Sequence, residues 1–211
     1  MNIAVFASGN GSNFSAIAKA IKSKKLACVL ELLVCDNPKA KVIDKARRIG
    51  VEILLVERAG FQSKREFETA IISRLKKDRI DLIVLAGFMR LLSTDFVKSF
   101  HNRIINIHPS LLPAFKGAKG IHDAFAYGAK VTGVTVHFVD EHMDHGPIIL
   151  QEAVPIKEKD TLGSLEARIH SLEHRLYPEA IRLFQEGRLK IRGRKIISSS
   201  QQCPRYHGRK A

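Results

Sequence analysis

Between Asn2 and His108, short apolar runs alternate with stretches of helical character. That alternation constrains the fold more than any other feature of the chain. The runs cover 2–7, 29–35, 51–56, 81–86 and 104–108. All are of strand length, and Asp81-Leu82-Ile83-Val84-Leu85-Ala86 is apolar almost throughout. Strands read that way when helices cover both faces of their sheet, as in parallel sheets. Helices are expected over 14–23 and 41–49, with Gly50 closing the second. A third runs from a Ser63/Glu66 capping box to about residue 77, and a fourth covers 94–101. The pattern predicts an α/β fold: a doubly wound, mostly parallel, Rossmann-like sheet with right-handed crossovers.

Beyond His108 the pattern changes. A short helix is expected over 121–128, then strands over 131–139 and 148–154. The link at 140–147 is too short for a crossover helix, so this C-terminal strand pair should be antiparallel. A long C-terminal helix starts at Asp160 or Thr161. Leu162, Leu165, Ile169, Leu172 and Leu176 give it one apolar face, with Glu173, His174 and Tyr177 off or beside that face. Pro178 should kink it or end its first half, a second segment running to about 185. Residues 190–191 and 195–197 fit a small hairpin. The chain reads as one domain over 1–197, with 198–211 a basic, flexible tail.

Charge and cysteine usage narrow the class. The net charge is +14, but 188–211 holds eight Lys/Arg and no acid, and without it the chain carries +6. Only Tyr206 lies among those bases, so no stacking platform for nucleic acid is evident. Anionic small substrates account for the surplus as well as a polynucleotide does. No run approaches the length of a membrane span, and the first residues lack a signal-peptide pattern. The three cysteines, Cys28, Cys35 and Cys203, follow no framework, which argues for a reducing, cytoplasmic setting. Cys28 and Cys35 are seven apart on one expected strand, hence on opposite faces, and should not pair.

Three stretches carry chemistry. Ser8-Gly9-Asn10-Gly11-Ser12-Asn13 joins the first strand to the first helix, the layout of an anion cradle built on backbone N–H groups. The third glycine of a dinucleotide fingerprint is replaced by Phe14, so a monophosphate fits better than a pyrophosphate. Asp36 alone stands where a ribose-binding acid would, which makes a nicotinamide dehydrogenase the weaker reading. In Asn106-Ile107-His108-Pro109-Ser110-Leu111-Leu112-Pro113, the amide and the imidazole share one strand face before two prolines. An amide beside an imidazole at a strand's carboxyl end suits stabilisation of a developing oxyanion. Gly87-Phe88-Met89-Arg90-Leu91-Leu92 exits the fourth strand as an apolar loop with one guanidinium, where open α/β sheets bind ligands. Lys64 and Arg65 sit in a helix's first turn, which the macrodipole disfavours, a weak pointer to a nearby anion. His142 and His145, with Asp144 between, lack the further ligands of a zinc site. No metal is expected.

With these pieces in order, the chain resembles the phosphoribosylglycinamide formyltransferases over about residues 1–191. The resemblance rests on the segments 9–13, 85–90, 106–113 and 144–147. It implies a single formyltransferase domain acting on small molecules, as a monomer or homodimer. The formyl group of 10-formyltetrahydrofolate, a co-substrate, would pass to the amine of 5-phosphoribosylglycinamide in purine synthesis. By resemblance, Asn106 donates to the tetrahedral oxyanion, His108 stabilises it, and Asp144 holds His108 and favours its charged form. Gly11, Ser12 and Asn13 would take the phosphate, and Glu173 the ribonucleotide. Lys64, Met89, Arg90, Leu91, Leu92, Asn106, Asp140 and Asp144 would form the folate site. The family's usual arginine after the serine at 63 is here Lys64, with Arg65 following. His145 stands where a small residue is frequent, and neither it nor the basic tail touches the implied chemistry. Methionyl-tRNA formyltransferases carry a further C-terminal domain, and formyltetrahydrofolate deformylases an N-terminal one. The length of this chain favours neither.

Overall fold

A computed structural model describes residues 1–198. Its strands are β1 (Asn2–Phe6), β2 (Val29–Cys35), β3 (Glu52–Leu55), β4 (Leu82–Leu85), β5 (Ile104–His108), β6 (Val131–Phe138), β7 (Ile148–Pro155), β8 (Leu189–Arg192) and β9 (Lys195–Ser198). Its helices are α1 (Ser12–Lys22), α2 (Val42–Arg48), α3 (Lys64–Lys77), α4 (Thr94–Ser99), α5 (Gly120–Ala126) and α6 (Leu162–Gln185). The main sheet runs β3-β2-β1-β4-β5-β6-β7. β1 to β5 pair in parallel, while β6 is antiparallel to both β5 and β7. The Rossmann-like class, the antiparallel C-terminal pair and the long last helix are therefore as the sequence predicts. Of the tail expected at 198–211, Ser198 belongs to β9, and 199–211 lie outside the described residues.

Both faces of the sheet are covered, which explains the unbroken apolar strands. One core gathers Ile3, Val5, Leu33, Val84 and Ile105 beneath α1 and α6. The other gathers Ala4, Phe6, Leu32, Ile83 and Ile104 beneath α3 and α4. The strand order reverses between β1 and β4, so the carboxyl ends of β1, β4 and β5 open onto one crevice.

Two expectations need correction. Cys28 precedes β2, and both Cys28 and Cys35 lie in the α1/α6 core rather than on opposite faces. The β1–β2 register slips by one between Ile3 and Ala4, where Ile3 faces Leu30 and Ala4 faces Leu32. That extra residue inverts the alternation. Both thiols are free, as expected. The second correction concerns Pro178, where an end to the helix is excluded: α6 continues through it as one 24-residue helix. A mid-helix proline costs about 3 kcal/mol. Ile169, Leu172 and Leu176 before it, and Ala180, Ile181 and Leu183 after it, are all buried. Each large apolar side chain contributes about 1.5–3 kcal/mol on burial, so the continuous helix wins. Tyr177 is also fully buried, on a stripe wider than the leucine spacing marks. Its hydroxyl donates to the Leu85 and Ile105 carbonyls, at 2.7 and 3.1 Å, tying α6 to β4 and β5.

Candidate active site

The chain turns from β1 into α1 through Gly11, whose φ of +67° is the left-handed region that glycine enters at little cost. Space demands glycine as well. A Cβ there would meet the Val42 side chain at 2.4 Å. The first N–H groups of a helix lack intrahelical acceptors, so those of Ser12 and Asn13 make an anion cradle. Lys45 Nζ lies 3.4 Å from the Gly11 carbonyl and brings positive charge to this edge. Asn13 and Glu173 are buried against each other, with Asn13 Nδ2 donating to Glu173 Oε2 at 3.0 Å. His170 Nδ1 lies 3.0 Å from the same oxygen, and that contact raises the His170 pKa. His174, one turn on, is pushed down by burial. The Asn13 Oδ1 and His174 Nε2 atoms are buried without a hydrogen-bond partner. The sequence thus places Gly11, Ser12, Asn13 and Glu173 together, although Asn13 and Glu173 are 160 residues apart.

At the end of β5, His108 is 3% exposed and Asn106 half-buried. His108 Nε2 lies 2.8 Å from the Phe115 carbonyl. A carbonyl only accepts, so Nε2 carries a hydrogen. Nδ1 faces Asp144 Oδ2 at 3.5 Å. The same Oδ2 accepts from the Gly117 N–H at 2.8 Å, and Oδ1 lies 3.5 Å from Asn106 Nδ2. Amide, imidazole and carboxylate therefore converge, although His108 and Asp144 are 36 positions apart in the sequence. The Pro-rich exit is pinned from behind. Thr135 Oγ1 donates to the Ser110 carbonyl and accepts from Leu112 N–H and Gln151 Nε2.

One participant is absent from the sequence expectations. His137 on β6 stands opposite Asn106 and accepts from its Nδ2 at 3.2 Å. Its Nδ1 donates to the Phe138 carbonyl at 2.7 Å, and burial lowers its pKa, so the ring is neutral. The signal was the polar alternation Thr135/His137 on β6. Reading it needed the register of β6 against β5, which local patterning does not supply.

The third component is the loop after β4. Met89 and Leu91 are 68% and 64% exposed, while Phe88 and Leu92 pack on the α3/α4 core beside Val139. β6 runs antiparallel to β5, so the 139–147 loop starts beside Ile104, yet it folds back far enough for Asp144 to reach His108. Met143, in the 139–147 loop, is also half exposed. Arg90 does not point free into this space: Nε pairs with Asp36 Oδ2, and the guanidinium lies 5.7 Å from the Phe67 ring centre. Ser8 Oγ donates to the other Asp36 oxygen and accepts from Met89 N–H. Asp36 is therefore spent on fixing two loops, which removes it as a ribose acceptor. Lys64 Nζ lies 3.8 Å from Glu68, which accepts from Ser93 at the start of α4. The zinc reading also changes. Asp144 faces His108, and the carboxylate grouped with His142 and His145 is that of Asp140. A groove of about 1680 Å³ runs between α1 and α6 and touches Ser12 and Lys45 but not Asn106, His108 or Asp144.

This fold, with an amide–imidazole–carboxylate cluster beside an anion cradle, is that of the formyl transferase family, whose model matches residues 1–181. Within it, the chain is 50% identical over 179 residues to the phosphoribosylglycinamide formyltransferase of Bacillus subtilis (strain 168), covering 85% of this chain and 92% of that protein. The crystal structure of glycinamide ribonucleotide transformylase 1 from Symbiobacterium toebii matches with a TM-score of 0.91 and 45% identity, over 94% of this chain and 93% of that one. Its counterpart from Geobacillus kaustophilus gives 0.85 and 48%, over 87% and 97%. The chain belongs to the phosphoribosylglycinamide formyltransferases.

Proposed function

We propose that this chain transfers the formyl group of 10-formyltetrahydrofolate to the amine of 5-phosphoribosylglycinamide, as a cytoplasmic step of purine synthesis. The observation that carries the reading is the convergence of Asn106, His108 and Asp144 between an anion cradle and an apolar loop pair. Phosphate at the N-terminus of α1 and ribose against Glu173 direct the amine toward the end of β5. The folate ring lies along Met89 to Leu92 and the backbone of 140–144. The amine lone pair attacks the formyl carbon, and the carbonyl π electrons move onto oxygen. Asn106 donates to that oxyanion, and His108, with hydrogens on both nitrogens, balances its charge. The carbon–nitrogen bond to the folate then breaks. The proton released by the attacking amine ends on the folate nitrogen, leaving tetrahydrofolate and the formylated amide.

His108 Nε2 is engaged by the Phe115 carbonyl. The formyl oxygen takes the place of that carbonyl when substrate binds, which moves the 115–117 segment and the Gly117 contact to Asp144 together. No serine or cysteine nucleophile is required, because the substrate supplies its own. The test is a two-substrate assay following folate absorbance. Formyl transfer that requires both substrates is the expected result. Folate hydrolysis without the ribonucleotide would overturn the reading in favour of a deformylase.

A further inference from the structure

We infer that Arg194, in the turn of the C-terminal β8–β9 hairpin, is a positioning residue for the loop that carries Asp144. The inference rests on the formyl-transfer reading for its catalytic consequence. That loop, 139–147, is under constraint at several points. Asp144 itself adopts a φ of +49°, which non-glycine residues rarely enter. A Cβ on Gly146 would fall 1.9 Å from the Phe138 carbonyl, so the loop's far end lies directly against β6. Asp140 braces the interior, Oδ1 accepting from His142 N–H at 3.0 Å and Oδ2 lying 2.7 Å from His145 Nδ1.

Arg194 adds a tie from outside the loop. Nη2 donates to the His145 carbonyl at 2.6 Å. Nη1 lies 3.1 and 2.7 Å from the two nitrogens of the His145 ring. One atom this close to both nitrogens stands over the ring face, the stacked arrangement a planar guanidinium favours. A single side chain thereby holds the backbone and the ring of the residue directly after Asp144. The hairpin that presents it is seated: Leu189, Ile191 and Ile196 pack on the α1/α6 core. Gly193, φ +58°, takes the first turn position between paired Arg192 and Lys195. His145, set aside at the level of sequence, thus acts on the chemistry through Asp144, with Arg194 holding it.

The same cluster has a second reading. Asp140, His142 and His145 each bring one donor atom within 4.8 Å of the others, a set that divalent metals accept. Here Asp140 already holds the His145 ring, and the guanidinium supplies positive charge against that ring. The cluster is satisfied as a clamp.

The test compares Arg194→Ala, Arg194→Lys and the unaltered full chain by kinetics and by hydrogen exchange. A misplacement on the ångström scale costs up to about a hundredfold in rate, so Arg194→Ala should lower kcat about tenfold to a hundredfold. KM for the ribonucleotide should hold, since Arg194 bonds to His145 and not to the Gly11–Asn13 turn or Glu173. Lysine keeps the charge but loses the fork, and should recover only part of kcat. Exchange at 140–147 should rise in Arg194→Ala, with 1–30 unchanged. Unaltered kcat with unaltered exchange overturns the inference, as does a drop in thermal stability alone. Transfer that chelators abolish and zinc restores would also overturn it, in favour of the metal reading. Absence of transfer by the unaltered chain would sink the functional reading instead, and exchange alone would then decide the positioning.

Discussion

The anion cradle at the end of β1 and the polar pocket at the end of β5 share one edge of one sheet, yet they are built in opposite ways. The cradle is made of backbone. Gly11 turns the chain, and the first N–H groups of α1 would do the holding under the proposed reading. The pocket is made of side chains whose polar atoms are committed to one another: Asn106 to His137 and Asp144, His108 to Phe115 and Asp144. Histidine electrostatics differ in the same sense. Beside the cradle, His170 is pushed toward its charged form by Glu173. In the pocket, burial keeps His137 neutral so that it can accept from Asn106. On the proposed reading, substrate binding should therefore be sensitive to backbone geometry, and the chemical step to individual side chains.

The largest effects should come from the pocket. Removing one oxyanion donor costs about 10²–10³ in turnover. Asn106→Ala and His108→Ala should each lower kcat by about that factor, with circular dichroism unchanged. Asp144→Asn should cost less, at least about tenfold. Asparagine tolerates the left-handed backbone at 144 and can still meet the Gly117 N–H through its side-chain oxygen. Steady-state kinetics showing unchanged rates in all three would remove the proposed mechanism and the comparison with it.

The cradle should respond differently, through binding and stability. Gly11→Ala forces an alanine into the left-handed region, at about 1–2 kcal/mol, and into Val42, at about 1–3 kcal/mol. Chemical denaturation should find it less stable by about 2–5 kcal/mol. Affinity for the ribonucleotide should fall more than kcat does. Adding Val42→Ala should return part of the stability, because it removes the crowding but not the φ. Full recovery in the double variant would show that left-handed backbone plays no part at this turn.

Much of this was legible in the chain, for identifiable reasons. The parallel sheet shows because a strand covered on both faces must be apolar throughout, as 82–85 is. The chemistry shows because Asn106 and His108 are two apart on one strand. What local patterning cannot carry is cross-strand register and long-range pairing. His137 was invisible as a partner of Asn106 for that reason, and the Cys28/Cys35 phase was inverted by one slipped residue in β2. Arg90 reads as a ligand contact until Asp36, 54 residues earlier, is found to hold it. Pro178 reads as a break because its cost is local, whereas the burial that outweighs it is spread over the helix.

The smallest expected effect sharpens the comparison most narrowly. His170 and His174 lie one turn apart on α6 and are shifted in opposite directions, His170 up by contact with Glu173 and His174 down by burial. A histidine whose folded pKa lies above its unfolded value of about 6.5 stabilises the protein fully below that pH. The contribution fades as pH rises through the folded value. For His174 the sign reverses: the folded state resists its proton, so stability is lost as pH falls below about 6.5. The His170 ring is half exposed, and solvent screening limits its contribution to a few tenths of a kcal/mol. His170→Ala should therefore lower unfolding free energy at pH 5.5 by about that much and leave it unchanged at pH 8.5. His137→Ala, read the same way, should show no gain at high pH, because its ring is neutral in the fold throughout that range. A His170→Ala deficit equal at both pH values would mean that Glu173 holds the ring by packing alone, and the electrostatic contrast between cradle and pocket would fall.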